Sequence, residues 1–317
     1  MNMELKQRTK RDYALLLVKG MGMGAADVVP GVSGGTIAFI TGIYDELLYS
    51  LKQIGPQALV VLFKEGFVSA WQYINAGFLL AVFGGILISL KTFAALIGYC
   101  LEQYPLLVWA FFTGLILASI VLLAKHQQYW RWRQVLACFI GATIVYGVSV
   151  ATPSQLPGTW WMLFLGGFVA ICAMILPGIS GSFLLLLFGL YQVFLEAITE
   201  LELVALGSFG LGCIAGLLVF SRFLSWLLAR YHQTTVATLI GFLIGSLNVT
   251  WPWKETVETT LNRHGDVIPL VQQNVWPMAY EHIQGESSQL LAASLLAVTG
   301  LLLVLFVEWL SARYSIN

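Results

Sequence analysis

Charge is the scarcest commodity in this chain. Asp, Glu, Lys and Arg together make up 10% of 317 residues, where a soluble domain carries roughly a quarter. The surface of a water-soluble globular domain cannot be built from that supply. The charge present also cancels, 16 basic against 16 acidic residues, so there is no basic face for nucleic acid. Cysteine is nearly absent too. Cys100, Cys138, Cys172 and Cys213 stand alone within or at the ends of apolar runs. No Cys-x-x-Cys or Cys/His spacing occurs, which excludes a disulfide framework and predicts no metal site and no cofactor. The four read as small core residues. The first apolar run lacks a signal-peptidase pattern and follows Lys6, Arg8, Lys10 and Arg11. A retained, cytoplasmic N-terminus is expected.

What remains is apolar. Hydrophobic residues are 58% of the chain and mean hydropathy is +0.82, the composition of an all-α polytopic membrane protein. After a short cytoplasmic N-terminus, 1–12, apolar segments cover 13–29, 31–51, 76–100, 105–124 and 134–151, with a more polar stretch at 52–73. A linker, 152–159, follows. The order then recurs at 160–176, 178–198, 203–229, 235–250 and 289–311, with a polar insert at 251–287.

The recurrence is literal. Pro30-Gly31-Val32-Ser33-Gly34-Gly35 precedes Gly42-Ile43-Tyr44 by six residues, and Pro177-Gly178-Ile179-Ser180-Gly181-Ser182 precedes Gly189-Leu190-Tyr191 by six, 147 positions later. Further on, Gly85, Phe93, Tyr104, Gly114 and Ser119 match Gly212, Phe220, Tyr231, Gly241 and Ser246 at a constant offset of 127. An offset that shifts once, by about the length of the 52–73 stretch, is what duplication produces. The expected domains are therefore a first membrane repeat, 13–151, and a second, 160–317.

Five segments per half is an odd number, so the halves should enter the membrane in opposite senses, a common transporter plan. Lys52, Lys64, Lys125, Arg131, Arg133, Arg230 and Arg313 then fall in cytoplasmic loops, while the outer loops hold Lys254 and Arg263 beside several acids. That asymmetry obeys the positive-inside rule and places both termini in the cytoplasm and the 251–287 insert outside. The first two segments of each half are short and joined by Pro-Gly with no polar loop. They are expected to form a re-entrant helical hairpin, broken at depth where protein or water satisfies the backbone. Two inverted hairpins bring the two breaks towards each other near the midplane.

Proline suits the first turn of a helix. Ser33, Gly34, Gly35 and Thr36, and likewise Ser180, Gly181 and Ser182, would open the outgoing half-helices with unpaired N–H groups, a favourable dipole and donating hydroxyls. That is a compact anion site, suited to phosphate or carboxylate. Pro30, Gly31, Pro177 and Gly178 complete the two cradles. A tight Gly/Ser packing break with no ligand is the competing reading. Charges within apolar runs are the next candidates. Lys91, and Arg222 in the equivalent run, could reach the anion or extend to headgroups. Asp27, matched by Met174 in the second half, and Glu46 and Glu196, near the ends of the exit segments, could serve coupling or gating.

The stretch Gly24-Ala25-Ala26-Asp27-Val28-Val29-Pro30-Gly31-Val32-Ser33-Gly34-Gly35-Thr36, through Gly42-Ile43-Tyr44, strongly resembles a bacterial membrane family associated with polyprenyl-phosphate transport. The resemblance covers nearly the whole chain. It implies a plasma-membrane protein that moves undecaprenyl phosphate, the lipid carrier of cell-wall precursors, from the outer to the inner leaflet for reuse. Among the site residues it supports only the signature: Asp27, Pro30, Gly31, Ser33, Gly34, Gly35, Thr36 and the second copy at Pro177, Gly178, Ser180 and Gly181. Undecaprenyl pyrophosphate phosphatases are similar in carrying Pro-Gly-x-Ser-Arg-Ser on re-entrant hairpins. Gly34 and Gly181 stand where their arginine would be, and their Glu-x-x-x-Glu pair has no clear counterpart. Phosphoryl transfer needs that charge neutralisation, so a non-enzymatic carrier is expected. A small-anion transporter is the third alternative.

Overall fold

The structure, a computed structural model, describes residues 8–27, 34–151, 156–261 and 267–314. The chain begins with helix α1 (Lys10–Asp27), then two short helices, α2 (Gly34–Ile40) and α3 (Tyr44–Gln53). Next come α4 (Pro56–Glu65), α5 (Phe67–Tyr73), α6 (Ala76–Gln103), α7 (Pro105–His126) and α8 (Trp132–Ser149). The second half runs α9 (Trp160–Ile175), α10 (Gly181–Leu187), α11 (Leu190–Thr199) and α12 (Leu203–Thr250). An antiparallel hairpin, β1 (Lys254–Leu261) and β2 (Val267–Asn274), precedes α13 (Pro277–Gln284) and α14 (Leu290–Tyr314). By length and composition, α7, α8 and α12 can cross a membrane, with a fourth span if α5 and the first part of α6, bent by 65°, are taken together.

Three details differ from the sequence expectation. The 31–51 segment, read as one exit half-helix, is two helices. The Schellman pattern at the end of α2, with Ile43 N–H donating to Ala38 O and Gly42 N–H to Phe39 O, turns the chain there. Gly42 (φ +70°) and Gly189 (φ +69°) supply the left-handed residue at both joints, which gives the Gly-x-Tyr part of the repeat its role. Residues 203–229 and 235–250, read as separate runs, are continuous helix except at Tyr231, where φ −131° and ψ 43° leave the helical region. Tyr104, its repeat partner, adopts φ −136° and ψ 48° between α6 and α7. Finally, the more polar stretch 52–73 is mostly helical, formed by the end of α3, α4 and α5.

Small residues set the packing. In α1, Gly20 faces the Val82 carbonyl of α6 and Gly85 faces Leu17, so closely that neither site has room for a Cβ. Gly167 faces Phe209, and Gly212 faces Phe164, in the same way between α9 and α12. These four residues stand at the 147 and 127 offsets from the first four. Close backbone approach through glycine is the usual way to hold helices together in lipid, where apolar burial gives no driving force. The last helix of each half packs on the other half. Gly300 of α14 meets Phe111 and Gly114 of α7 meets Ala297, while Gly141 of α8 meets Thr238 and Gly241 of α12 meets Cys138.

Polar groups fix the ends. Thr9 and Asp12 form a capping box at the start of α1: Asp12 N–H donates to Thr9 Oγ1 at 3.3 Å and Thr9 N–H to Asp12 Oδ2 at 2.7 Å. At the far end of α12, Lys254 Nζ donates to Val249 O at 2.5 Å and sits 4.0 Å from the centroid of the Trp109 ring, where the helix dipole favours a cation.

Candidate functional site

Of the first break, Pro30, Gly31 and Ser33 lie outside the described residues; Gly34, Gly35 and Thr36 open α2 and are all buried. The second break lies within them. Gly178 has φ +86°, Ser180 is extended (φ −98°, ψ 129°) and α10 starts at Gly181.

The two breaks touch. Gly178 N–H donates to Thr36 Oγ1 at 3.0 Å across 142 residues of sequence. A Cβ on Gly35 would lie 2.8 Å from the Met174 carbonyl oxygen and 2.7 Å from that of Ile175. The α2 N-terminus is thus seated against the end of α9, which glycine at 35 allows, while Gly178 lies close against Phe242 of α12.

Their chemistry is not symmetric. Asp27 Oδ1 accepts the Gly34 N–H at 2.6 Å, and a Cβ on Gly34 would strike that carboxylate. The positive end of α2 already faces a carboxylate supplied by the chain itself. In the second half Met174 takes Asp27's place, 2.8 Å (Cγ) from where a Gly181 Cβ would stand. The Ser180 hydroxyl does not cap α10 and instead meets the Ser182 hydroxyl at 2.9 Å. A narrow cleft reaches Gly178 and Ser180 between Val145, Val148 and Ser149 of α8 and Val249 of α12. Ser149 Oγ accepts from Asn248 Nδ2 at 2.8 Å at its rim. Neither Ser149 nor Asn248 has a sequence signal beyond being a polar residue at the end of an apolar run.

The charged candidates are dispersed. Arg222 is directed at main-chain carbonyls: Nη1 donates to Leu218 O at 2.9 Å and Nη2 to Ile54 O at 3.3 Å. Its guanidinium fills the space beside Gly55, leaving none for a Cβ there. It therefore caps α3 and ties the α3–α4 junction to α12. Arg222→Ala is expected to lower stability by about 1–3 kcal/mol, since it strands the Ile54 carbonyl, and to leave affinity for a lipid phosphate unchanged; thermal melts and binding titrations in detergent check both. Glu46 pairs with Arg8 at 2.5 Å and accepts from Asn75 Nδ2 at 2.8 Å, while Arg8 lies 5.3 Å from the Phe78 ring centroid. This cluster fastens the start of α1 to α3 and α6. Glu196 is exposed on α11, and Lys91 lies on α6 with its side chain outside the described part. Among the described residues, no group of His, Cys, Asp or Glu is placed to hold a metal.

Two transporters of known name are similar over most of the chain. The polyprenyl-phosphate transporter of Vibrio cholerae serotype O1 is 45% identical over 297 residues, 94% of this chain and 96% of that protein. The polyprenyl-phosphate transporter of Staphylococcus aureus is 32% identical over 254 residues, 74% of this chain and 85% of its own. No solved structure matches. The model of the undecaprenyl phosphate translocase-like family matches residues 23–268, from the end of α1 to the β1–β2 hairpin. With both breaks inside the matched region, the chain belongs to the undecaprenyl phosphate translocase-like family.

Proposed function

We propose that this protein carries undecaprenyl phosphate, or a closely related polyprenyl phosphate, from the outer to the inner leaflet of the bacterial plasma membrane. The observation that carries this reading is the direct contact between the two breaks, Gly178 N–H to Thr36 Oγ1, in a chain whose relatives are named as polyprenyl-phosphate transporters. The phosphate is held where the breaks meet, on hydroxyls and N–H groups of Thr36, Ser180, Gly181 and Ser182, with Ser33 completing the first cradle. The prenyl tail stays in lipid. Moving a bare anionic head through hydrocarbon costs many kcal/mol, and a polar seat at depth lowers that barrier.

Alternating access follows from a pair of inverted repeats, each a re-entrant hairpin plus three membrane helices, rocking about the shared contact. Supporting that plan, α1 and α9 would be roughly 27 and 24 Å long at about 1.5 Å per residue, short of the roughly 30 Å hydrocarbon core. The glycine contacts that bind α1 to α6 also recur between α9 and α12. Gly34 and Gly181, where a phosphatase would need a cation, favour holding the phosphate over cleaving it.

The test is leaflet exchange of undecaprenyl phosphate in liposomes containing the purified chain, with and without imposed proton or sodium gradients. Exchange above protein-free vesicles, with no phosphate released from undecaprenyl pyrophosphate, is the expected result. Absence of exchange under every gradient overturns the carrier reading, and sustained phosphate release replaces it with the phosphatase.

A further inference from the structure

The connection from α3 to α6 has no counterpart in the second half, where three residues, 200–202, separate α11 from α12. It folds as α4 and α5, and no residue of α4 is buried. On α4, Pro56, Leu59, Val60 and Phe63 recur at i, i+3, i+4 and i+7, the spacing of a single helix face. All four are exposed. Across Gly66 (φ +88°) the apolar surface continues on α5 with Phe67, Val68 and Trp71. Exposure of the stripe's larger residues (Leu59, Val60, Phe63, Phe67, Val68 and Trp71) runs from 39% at Trp71 to 84% at Phe63. The Phe67 and Trp71 rings pack on each other at 5.6 Å. Gln57, Lys64 and Glu65 lie off the stripe.

Two features identify what covers this surface. Helix α5 is bent by 65° from α6, so where α6 crosses the bilayer, α5 runs closer to its plane than to its normal. Lys52 ends α3 and Lys64 ends α4, which puts cations beside the apolar stripe, where anionic headgroups would meet them. The root of the pair is rigid, because Arg222 bonds Ile54 O and packs on Gly55.

We propose that α4 and α5 lie in the headgroup–acyl boundary of the bilayer, with Leu59, Val60, Phe63, Phe67, Val68 and Trp71 in the acyl region and Lys52 and Lys64 at the phosphates. In the orientation proposed above this is the cytoplasmic leaflet. Because α3 joins α4 through Ile54 and Gly55 alone, the pair fixes the depth of α3, and through it the depth of the first break, relative to one membrane surface.

The full chain tests this in nanodiscs of phosphatidylethanolamine and phosphatidylglycerol, with Cys100, Cys138, Cys172 and Cys213 replaced by alanine and nitroxides placed by Phe63→Cys, Phe67→Cys, Gln57→Cys and Glu65→Cys. Collision with oxygen relative to an aqueous nickel chelate is expected to be several-fold higher at positions 63 and 67 than at 57 and 65. Equal ratios at all four overturn the proposal. So does oxygen protection at 63 and 67 with strong spin coupling between copies, which would mean that a second copy covers the stripe. A measurement without cysteine replacement guards against misfolding. The fluorescence lost in Trp71→Phe should be the part quenched by lipids brominated high on the acyl chain, and its persistence in their presence would also sink the proposal.

Discussion

Gly178→Val abolishes leaflet exchange and lowers the melting temperature of the solubilised protein by several degrees. Gly178 sits at φ +86°, which for a β-branched residue costs about 1–3 kcal/mol. Its Cβ would also lie 2.8 Å from the Phe242 carbonyl oxygen and 3.2 Å from Ser246 Oγ, and relieving such an overlap costs a further 1–3 kcal/mol or so. Either movement pulls the Gly178 N–H from Thr36 Oγ1 and parts the two breaks. Thr36→Val isolates that last effect. Thr36 is buried, valine matches its shape, and the stranded N–H costs about 1–3 kcal/mol. Gly84→Val is the control, because nothing lies within 4 Å of a Cβ there, and a change at such a site should stay within about 0.5 kcal/mol. Exchange assays with circular-dichroism melts read all three. If Gly178→Val exchanges lipid at the wild-type rate, the contact between the breaks is not where the head crosses.

Asp27→Asn binds the lipid phosphate more tightly and exchanges it more slowly. The asparagine carbonyl can still accept the Gly34 N–H that Asp27 Oδ1 accepts at 2.6 Å, so the cap on α2 survives. What disappears is a negative charge beside the seat proposed for another. Two like charges about 10 Å apart at an effective dielectric of about 20 repel by about 1.7 kcal/mol, so affinity should rise about 15-fold. Tighter holding without a matching gain in the transition between the two access states slows release. Asp27→Leu removes the cap as well and should lose about 1 kcal/mol of stability. Titration with a short-chain prenyl phosphate, alongside exchange in liposomes, separates the two variants. An Asp27→Asn protein that binds more weakly would show that the carboxylate serves a cation or a proton in the site and does not compete with the phosphate.

Much of this was legible in residue order. The scarcity of charge and the long apolar runs gave the membrane class, because a lipid-facing surface leaves little room for ions. The doubled Pro-Gly-x-Ser-Gly motif marked the starts of α2 and α10, and the offset of 127 paired residues with matching roles: Gly85 with Gly212 and Gly114 with Gly241 in close helix contacts, Tyr104 with Tyr231 in backbone geometry. Repeats are readable because a duplicated backbone keeps the same demands on glycine and on helix-breaking geometry at matched positions.

Partnerships were not legible. Arg222, placed by charge near an anion, caps α3, because the carbonyl it bonds is 168 residues away and no local pattern reveals which helix end a long side chain will find. Asp27 looked available for coupling, but its carboxylate accepts the Gly34 N–H, a contact that no local sequence pattern reveals. The 52–73 stretch read only as more polar than its neighbours, because its seven-residue apolar stripe shows only once α4 and α5 are wound. Composition and repeats pointed to a membrane chain that carries the Pro-Gly-x-Ser-Gly motif twice. Tertiary structure alone decided that Thr36 and Gly178 meet, because a hydrogen bond at 3.0 Å depends on how the start of α2 packs against the end of α9, and close glycine contacts such as that of Gly35 with the Met174 and Ile175 carbonyls set that packing.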